Sequence, residues 1–308
     1  YSYYGVISAD GEISGSGQVI KTGYGLAILA AANTYSGTTQ VNAGILEVRN
    51  AQALGATDGT AGSGTNVRGG VLALSGPFTV DNEMLIVGEN GGTIQNVGSN
   101  IWTGDVHFGS FAQLQGYGDS LLFAGNLTSE SYAQIGVSGI GLLELTGNSA
   151  LSAAQFSVSS GVLQVDSVLT GVNALYINYG GTLQGAGTIV SSYVQTYGGS
   201  IEFSGVLDAP QLDVQFGTID PAGISATSIL NSGSLSLWSG RLRMQLAGDA
   251  DYDQVNVAGE VSLAYSTLEL AVGYAPTIGK QFTLINNDDT DAVLGIFNNQ
   301  PEGSLIAT

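Results

Sequence analysis

The chain has no cysteine, and this absence excludes disulfide frameworks, thiolate metal sites and cysteine nucleophiles together. It has a single histidine, His107, so a histidine-rich metal site and a two-histidine mechanism are excluded as well. Only five prolines occur, and glycine does not recur at every third position. The sequence therefore does not encode a collagen-like triple helix.

Positive charge is also scarce. Six Lys and Arg residues stand against 25 Asp and Glu residues, which gives a net charge of −19. Such a chain is repelled by phosphate backbones and by anionic membrane surfaces, so we expect no nucleic-acid partner. The longest apolar run, at residues 25–32, falls far short of the roughly 18 residues that span a bilayer, and we expect no membrane-spanning segment.

Glycine, in contrast, is abundant, with 47 residues, and it marks an internal repeat. The pattern Gly-x-apolar-x-apolar, or a close relative of it, returns with a mean spacing of about 22 residues. Its central apolar residues are Leu46, Leu72, Ile94, Leu114, Ile135, Leu163, Leu183, Ile201, Ile219, Leu242 and Leu268. Apolar and polar residues alternate within each unit, as in strands that bury one face.

Short strands separated by frequent turns at this period predict an all-β fold, a parallel β-helix (β-solenoid) of about 12 to 14 coils. We expect one continuous domain over residues 1–308. A hairpin-based sandwich is the alternative, and it needs two-residue turns between antiparallel strands. Asp10-Gly11, Asp58-Gly59 and Asn90-Gly91 are too few to supply these turns.

Residues 32–48, ANTYSGTTQVNAGILEV, followed by NAQALG at 50–55, resemble the autotransporter-associated β-strand repeat of bacterial passenger regions. Residues 181–189 and 217–223 resemble the stretch that often follows such repeats, and residues 251–259 and 282–288 resemble the end of those passengers. The resemblance implies a right-handed β-helix outside the bacterial cell, at the surface or secreted, with a structural or adhesive role, for example in biofilm. We expect an excised passenger, with a C-terminal-like end over 245–308.

One string resembles the nucleophile block of an esterase family, Gly118-Asp119-Ser120-Leu121. No histidine follows Ser120, so the activating base of that family is missing. We therefore expect these residues to form a corner that enters a strand.

Because many parallel β-helices cleave polysaccharides, a glycan-active hydrolase or lyase is the enzymatic alternative. It requires carboxylates from neighbouring coils to converge in a groove with a basic clamp. The acids on the polar side of strands include Glu47, Glu144, Glu202 and Glu269, and the basic residues are dispersed along the chain. We therefore expect a solvated face and a non-catalytic protein.

Two acidic runs are weak candidates for Ca²⁺, and otherwise we expect no cofactor. The first contains Asp249, Asp251 and Asp253, but Gln254 occupies the position where a calcium loop needs glycine. The second contains Asp288, Asp289 and Asp291. Solvated loops are the favoured interpretation of both.

Tyrosines form two local concentrations, and they are candidates for contacts with another subunit or with a glycan. They are Tyr1, Tyr3, Tyr4, Tyr176, Tyr179, Tyr193 and Tyr197. The last four fall in consecutive coils, so they could stack; ordinary half-buried strand tyrosines are the alternative.

A β-solenoid ends in unpaired strand edges. We therefore predict head-to-tail or strand-exchange assembly into a fibre, with residues 1–20 as an exchanged or edge-covering segment. The predicted partners are the chain itself and host-cell or matrix glycans. A monomeric adhesin stalk is the rival prediction.

Overall fold

The computed structural model describes residues 5–223, 226–288, 291–298 and 300. The described part contains strands and no helix, and it forms a parallel β-solenoid of about 12 turns. The predicted fold class is therefore confirmed. Two compact units divide the chain, residues 1–157 and 158–308. The single continuous domain stays a prediction.

In the first unit, strands of two to six residues alternate with tight corners. They are β1 (Val6–Ala9), β2 (Val19–Lys21), β3 (Leu26–Leu29), β4 (Thr39–Val41), β5 (Ile45–Val48), β6 (Thr65–Val67), β7 (Val71–Ser75), β8 (Thr79–Val80), β9 (Leu85–Val87), β10 (Gly92–Val97), β11 (Asn100–Trp102), β12 (Val106–Phe108), β13 (Phe111–Gly116), β14 (Ser120–Phe123), β15 (Leu127–Ser129), β16 (Gln134–Ser138) and β17 (Ile140–Leu145), with the two-residue β8 the shortest, and they are followed by the longer β18 (Ser149–Val158).

These strands stack in three parallel ladders, one for each side of a turn. The β1 ladder runs through β3, β5, β7, β10, β13 and β16. The β2 ladder runs through β4, β6, β9, β12, β15 and β18. The β8 ladder runs through β11, β14 and β17.

The second unit repeats this plan. Its strands are β19 (Gly161–Val165), β20 (Val168–Asn178), β21 (Gly181–Gly185), β22 (Thr188–Ser191), β23 (Val194–Tyr197), β24 (Ser200–Phe203), β25 (Val206–Asp208), β26 (Gln211–Gln215), β27 (Thr218–Ile219), β28 (Ile229–Ser232), β29 (Ser234–Trp238), β30 (Arg241–Leu246), β31 (Gln254–Val257), β32 (Val261–Leu263), β33 (Thr267–Val272), β34 (Ile285–Asn287) and β35 (Val293–Gly295).

Here the β19 ladder contains β21, β24, β27, β30 and β33. The first part of β20 begins a ladder with β22, β25, β28, β31 and β34. The last part of β20 begins the β23 ladder, which continues through β26, β29, β32 and β35.

The core is built from columns of apolar residues that the repeat places in register. Leu46, Leu72 and Ile94 are partners on successive strands, and each is essentially inaccessible to solvent. Burial of one such side chain contributes roughly 1.5–3 kcal/mol. The alternation in the sequence thus separates a buried face from an exposed face on every strand.

The repeat series contains two errors that the structure corrects. Leu114 pairs with Val137, so Ile135 lies two residues out of register. The 28-residue step from Ile135 to Leu163 is also not one turn, because the N–H of Gln155 donates to the carbonyl of Ala133. The next turn therefore begins 22 residues after Ala133, and Leu163 lies beyond that point in the sequence, in β19 of the second unit.

Glycine is required where successive turns approach closely. A Cβ atom on Gly125 would lie 2.1 Å from the carbonyl oxygen of Gly104, and one on Gly147 would lie 2.1 Å from the carbonyl oxygen of Gly125. These three glycines form a column at a corner of the first unit. Part of the glycine excess is therefore steric.

Candidate functional site

Four exposed aromatic rings stand in line on the second unit, and we call them the aromatic ladder: Tyr179, Tyr197, Phe216 and Trp238. Their consecutive ring centroids are 5.3, 5.5 and 5.1 Å apart in edge-to-face contacts. Their exposed fractions are 60%, 45%, 43% and 44%. Each contact is worth about 0.5–1.5 kcal/mol beyond the area that it buries.

The repeat explains this alignment. Each ring lies at the end of a strand, either as its last residue (Tyr197 and Trp238) or as the residue after it (Tyr179 and Phe216). Each also stands one or two positions before a glycine of the corner that leads to the next β19-ladder strand. Gly198 shows why glycine stands there, since its φ is +74° and a Cβ atom on it would lie 2.0 Å from the ring of Tyr179. Phe216 has a φ of +55°, which turns its side chain at the corner.

The structure brings the four predicted tyrosines of this region together in two pairs. Tyr179 contacts Tyr197 within the ladder, and the Tyr176 and Tyr193 rings lie 6.3 Å apart on the adjacent sheet face. The Tyr193 hydroxyl lies 3.1 Å from Oδ2 of Asp213. Loss of solvent, with the nearby carboxylate, raises the pKa of Tyr193 to about 12. Tyr1, Tyr3 and Tyr4 lie outside the described residues, and the contact role of all seven stays a prediction.

Phe216 and Trp238 complete the ladder, and the sequence analysis missed them. The signal was present, because an aromatic residue stands one or two positions before the glycine of each corner: Tyr179-Gly180, Tyr197-Gly198, Phe216-Gly217 and Trp238-Ser239-Gly240. A search for tyrosine alone overlooks this pattern.

A second line of side chains crosses the β19 ladder, and we call it the polar column: Gln184, Glu202, Asp220 and Arg243. Gln184 and Glu202 are partners in strand pairing. Ile201, Ile219 and Leu242 are also partners, so the residues after them stand in register: Glu202, Asp220 and Arg243. The alternate residues are buried in the core. The column therefore lies on the outer face of these strands.

The centre of the column is tightly packed. The Nη1 atom of Arg243 lies 3.3 Å from Oδ2 of Asp220. Asp220 is only 3% exposed, and its Oδ1 atom has no hydrogen-bond partner. Burial raises the pKa of Asp220, which the Arg243 guanidinium opposes. Burial also raises the pKa of Glu202, and the negative charge of Asp220 adds to this effect.

An open depression of about 370 Å³ borders the column and is lined by Gln164, Asp166, Gln184, Glu202 and Ser204, among other residues. The Gln184 amide donates to Oε1 of Gln164 at 2.7 Å. Amides, hydroxyls and carboxylates thus surround the space beside Glu202.

The other strand glutamates differ from Glu202. Arg49 donates to Glu47 at 2.7 Å and so lowers the pKa of Glu47, and Arg241 lies 3.6 Å from Glu269. The expectation of dispersed basic residues is therefore wrong at β30, where two arginines on one strand, Arg241 and Arg243, face acids of neighbouring turns. The sequence analysis missed these contacts because the paired residues lie on adjacent turns, 23 and 28 residues apart in the sequence.

The esterase-like string forms a corner and a strand start, as expected. Ser120 is the first residue of β14, and Leu121 is buried. The Asp119 carboxylate accepts the N–H of Gly98 at 2.8 Å. His107 belongs to β12, on a different ladder, where its Nδ1 atom lies 3.0 Å from the Thr128 hydroxyl.

The first calcium candidate is distributed over separate contacts. Asp249 accepts the Tyr274 hydroxyl at 2.6 Å, and Asp251 accepts the Thr227 hydroxyl. Asp253 is buried, and its two carboxylate oxygens accept the N–H groups of Ser228 and Gln245, each at 2.7 Å. These contacts connect residues 249–253 to the preceding and following turns.

In the second candidate, Asp288 and Asp291 lie in exposed loop positions, and Asp289 lies outside the described residues. Among the residues that the structure describes, no three His, Cys, Asp or Glu side chains are grouped so as to hold a metal ion. Ca²⁺ stays a weak prediction.

Comparison with known proteins agrees with this architecture. A family model described as the passenger-associated-transport-repeat matches residues 19–48. The chain is 30% identical over 166 residues, or 54% of its length, to the adhesin BmaC autotransporter of Brucella suis biovar 1 (strain 1330). It spans about 4% of the length of that relative. No solved structure matches the chain significantly.

Fold and repeat together define a repetitive parallel β-solenoid. The predicted resemblance to an autotransporter passenger with the associated repeat is confirmed, because residues 19–48 match that repeat and the chain is similar to an autotransporter over 54% of its length. In the described part of the chain, no helix has the length and apolarity to cross a membrane.

Proposed function

We propose that the chain is a non-catalytic adhesive segment of an extracellular or cell-surface passenger. The similarity to an autotransporter named as an adhesin supports this role. The observation that carries it is the aromatic ladder, because contiguous exposed apolar patches mark interaction sites. Tyrosine and tryptophan are typical anchors of contact surfaces.

Adhesion can be tested with beads coated with the whole chain and applied to host cells or extracellular matrix. We expect the ladder variant Tyr197→Ala/Trp238→Ala to lose most of the bead adhesion. Tyr24→Ala is the matched control, since Tyr24 is 83% exposed and lies in the other unit, outside the ladder. Equal adhesion by the ladder variant and the control would refute the proposal.

The glycan-active alternative keeps one supporting observation, since Glu202 and Asp220 on successive turns meet beside Arg243. It meets only part of the criterion set by the sequence, because Asp220 is buried and does not line the depression beside Glu202. Hydrolysis or elimination would release new sugar ends from a polysaccharide. We expect none from the purified chain; release that disappears in Glu202→Gln would establish the enzyme instead.

Self-assembly into a fibre is a further proposal, because the strand edges of a parallel β-solenoid can act as templates for strands of another chain. We expect sedimentation velocity of the chain to show growth with concentration; a monodisperse monomer would contradict assembly.

A further inference from the structure

We propose that the aromatic ladder and the polar column together bind a neutral, linear polysaccharide that crosses the strands of the second unit. This inference rests on the adhesive function proposed above and names the chemical class of its ligand. It is carried by a repeated pairing of ring and polar group, by partly exposed polar side chains in the column, and by the charge of the face.

The pairing recurs on four successive turns. Each ring is followed, four or five residues later, by one member of the polar column: Tyr179 by Gln184, Tyr197 by Glu202, Phe216 by Asp220, and Trp238 by Arg243. Successive strands lie about 4.8 Å apart. The same two chemistries therefore repeat across the strands at a regular interval. A polymer with repeating units fits such a surface better than a single small molecule.

The column also offers hydrogen-bonding groups that a ligand can reach. Gln184, Glu202 and Arg243 are each partly exposed, whereas Asp220 is buried and contacts Arg243. A sugar hydroxyl both donates and accepts, so neighbouring hydroxyls of one ligand suit this mixture of amide, carboxylate and guanidinium.

The rings supply the second requirement of a sugar site. A pyranose has apolar C–H faces as well as hydroxyls, and exposed aromatic rings cover apolar surface at low entropic cost. The Gln184 amide and the Glu202 carboxylate, which line the depression beside the column, are further hydrogen-bonding groups within this face. Apolar surface with a few placed polar groups is the general composition of ligand sites.

Charge selects a neutral glycan. The chain as a whole carries −19, and Glu202, Asp220 and Glu269 share this face, so an anionic polysaccharide would be repelled. Arg241 and Arg243 contact Glu269 and Asp220, so these two acids are already paired without a cationic ligand. A hydroxyl-rich ligand without charge avoids the repulsion and does not compete with these ion pairs.

The test is isothermal titration of the full chain with cellohexaose, chitohexaose and xylohexaose, three neutral linear glycans, and with heparin as the anionic comparison. We expect measurable binding of at least one neutral hexasaccharide and none of heparin. Trp238→Ala and Glu202→Gln should each weaken that binding at least tenfold. Tyr24→Ala and Glu130→Gln are the matched controls, because both alter exposed residues of the first unit.

Absence of binding to all three hexasaccharides would overturn the inference, and so would binding that the ladder and column variants leave unchanged or a preference for heparin. Trp238 is 44% exposed and Glu202 is partly exposed, and circular dichroism would verify that both variants fold. Bead adhesion that depends on the ladder without hexasaccharide binding would retain the adhesive function and reject this ligand. Loss of adhesion with retained hexasaccharide binding would reject the adhesive function and retain this ligand.

Discussion

The Thr65 hydroxyl donates a 2.6 Å hydrogen bond to Oε1 of Glu83, a carboxyl group that is completely buried in the first unit. The Oε2 atom of Glu83 has no partner. The Trp102 indole N–H donates to the Glu83 carbonyl at 2.6 Å and fixes the backbone there. Burial raises the pKa of Glu83 to about 8, and the Thr65 hydrogen bond only partly opposes it. Glu83 is therefore protonated at neutral pH.

This environment predicts that the free energy of unfolding depends on pH through the titration of Glu83. Since the pKa is higher in the folded chain than in the unfolded chain, the folded chain holds the proton more tightly. Stability should fall as pH rises from the ordinary pKa of 4.5 through about 8. Glu83→Gln, which stays neutral, should remove most of this fall and raise the melting temperature at pH 9 relative to the native chain.

The measurement is thermal unfolding by circular dichroism at pH 6 and pH 9. Glu130→Gln is the control, because Glu130 is exposed. If Glu83→Gln and the control lost the same stability between these pH values, a buried neutral Glu83 would be contradicted.

Asp253 should be a structural carboxylate. Its two oxygens accept N–H groups from different turns, so Asp253→Ala leaves two buried donors without partners. We expect the free energy of unfolding in urea to drop by roughly 1.5–3 kcal/mol. Asp208→Ala, at an exposed strand end, should leave it nearly unchanged. A native-like urea midpoint for Asp253→Ala would argue against this role.

Calcium should not stabilise the chain. Both oxygens of Asp253 are already used, and Asp249 and Asp251 contact different hydroxyls. We expect the melting temperature in about 1 mM CaCl₂, the concentration range of extracellular calcium modules, to equal that in EDTA. A rise of several degrees with Ca²⁺ but not with Mg²⁺ would show that one of the acidic runs is a site.

Close approach of successive turns predicts a second effect on stability. Gly125→Ala would place a methyl group 2.1 Å from the Gly104 carbonyl oxygen, and the backbone must shift to relieve that overlap. We expect a loss of roughly 1–3 kcal/mol in urea unfolding. Gly11→Ala meets no atom within 4 Å and should be neutral. Equal stability of the two variants would mean that the turns can separate at little cost.

The strands and their period could be predicted from sequence because each turn repeats the same local alternation. Leu163, Leu183 and Ile201 belong to one ladder, as the repeat indicated. The step from Ile135 to Leu163 was misjudged, because all sides of the solenoid bury the same residue types and the pattern does not distinguish one side from the next. Contacts between side chains on adjacent turns were harder still to predict. Asp220 and Arg243 are 23 residues apart, and only the register of the ladder brings them into contact.

The two tryptophans allow the exposure of the aromatic ladder to be measured directly. Trp102 is buried in the first unit, whereas Trp238 is 44% exposed at the end of the ladder. With tryptophan excited selectively over tyrosine, the emission of Trp238→Phe comes from Trp102, and we expect blue-shifted fluorescence that acrylamide scarcely quenches. In Trp102→Phe only Trp238 emits, and we expect red-shifted, readily quenched fluorescence. Protection of Trp238 at low protein concentration would contradict a free ladder, and protection that develops only as concentration rises would show that a second copy covers the rings. A neutral hexasaccharide should protect Trp238 and leave Trp102 unchanged, because only the former belongs to the ladder.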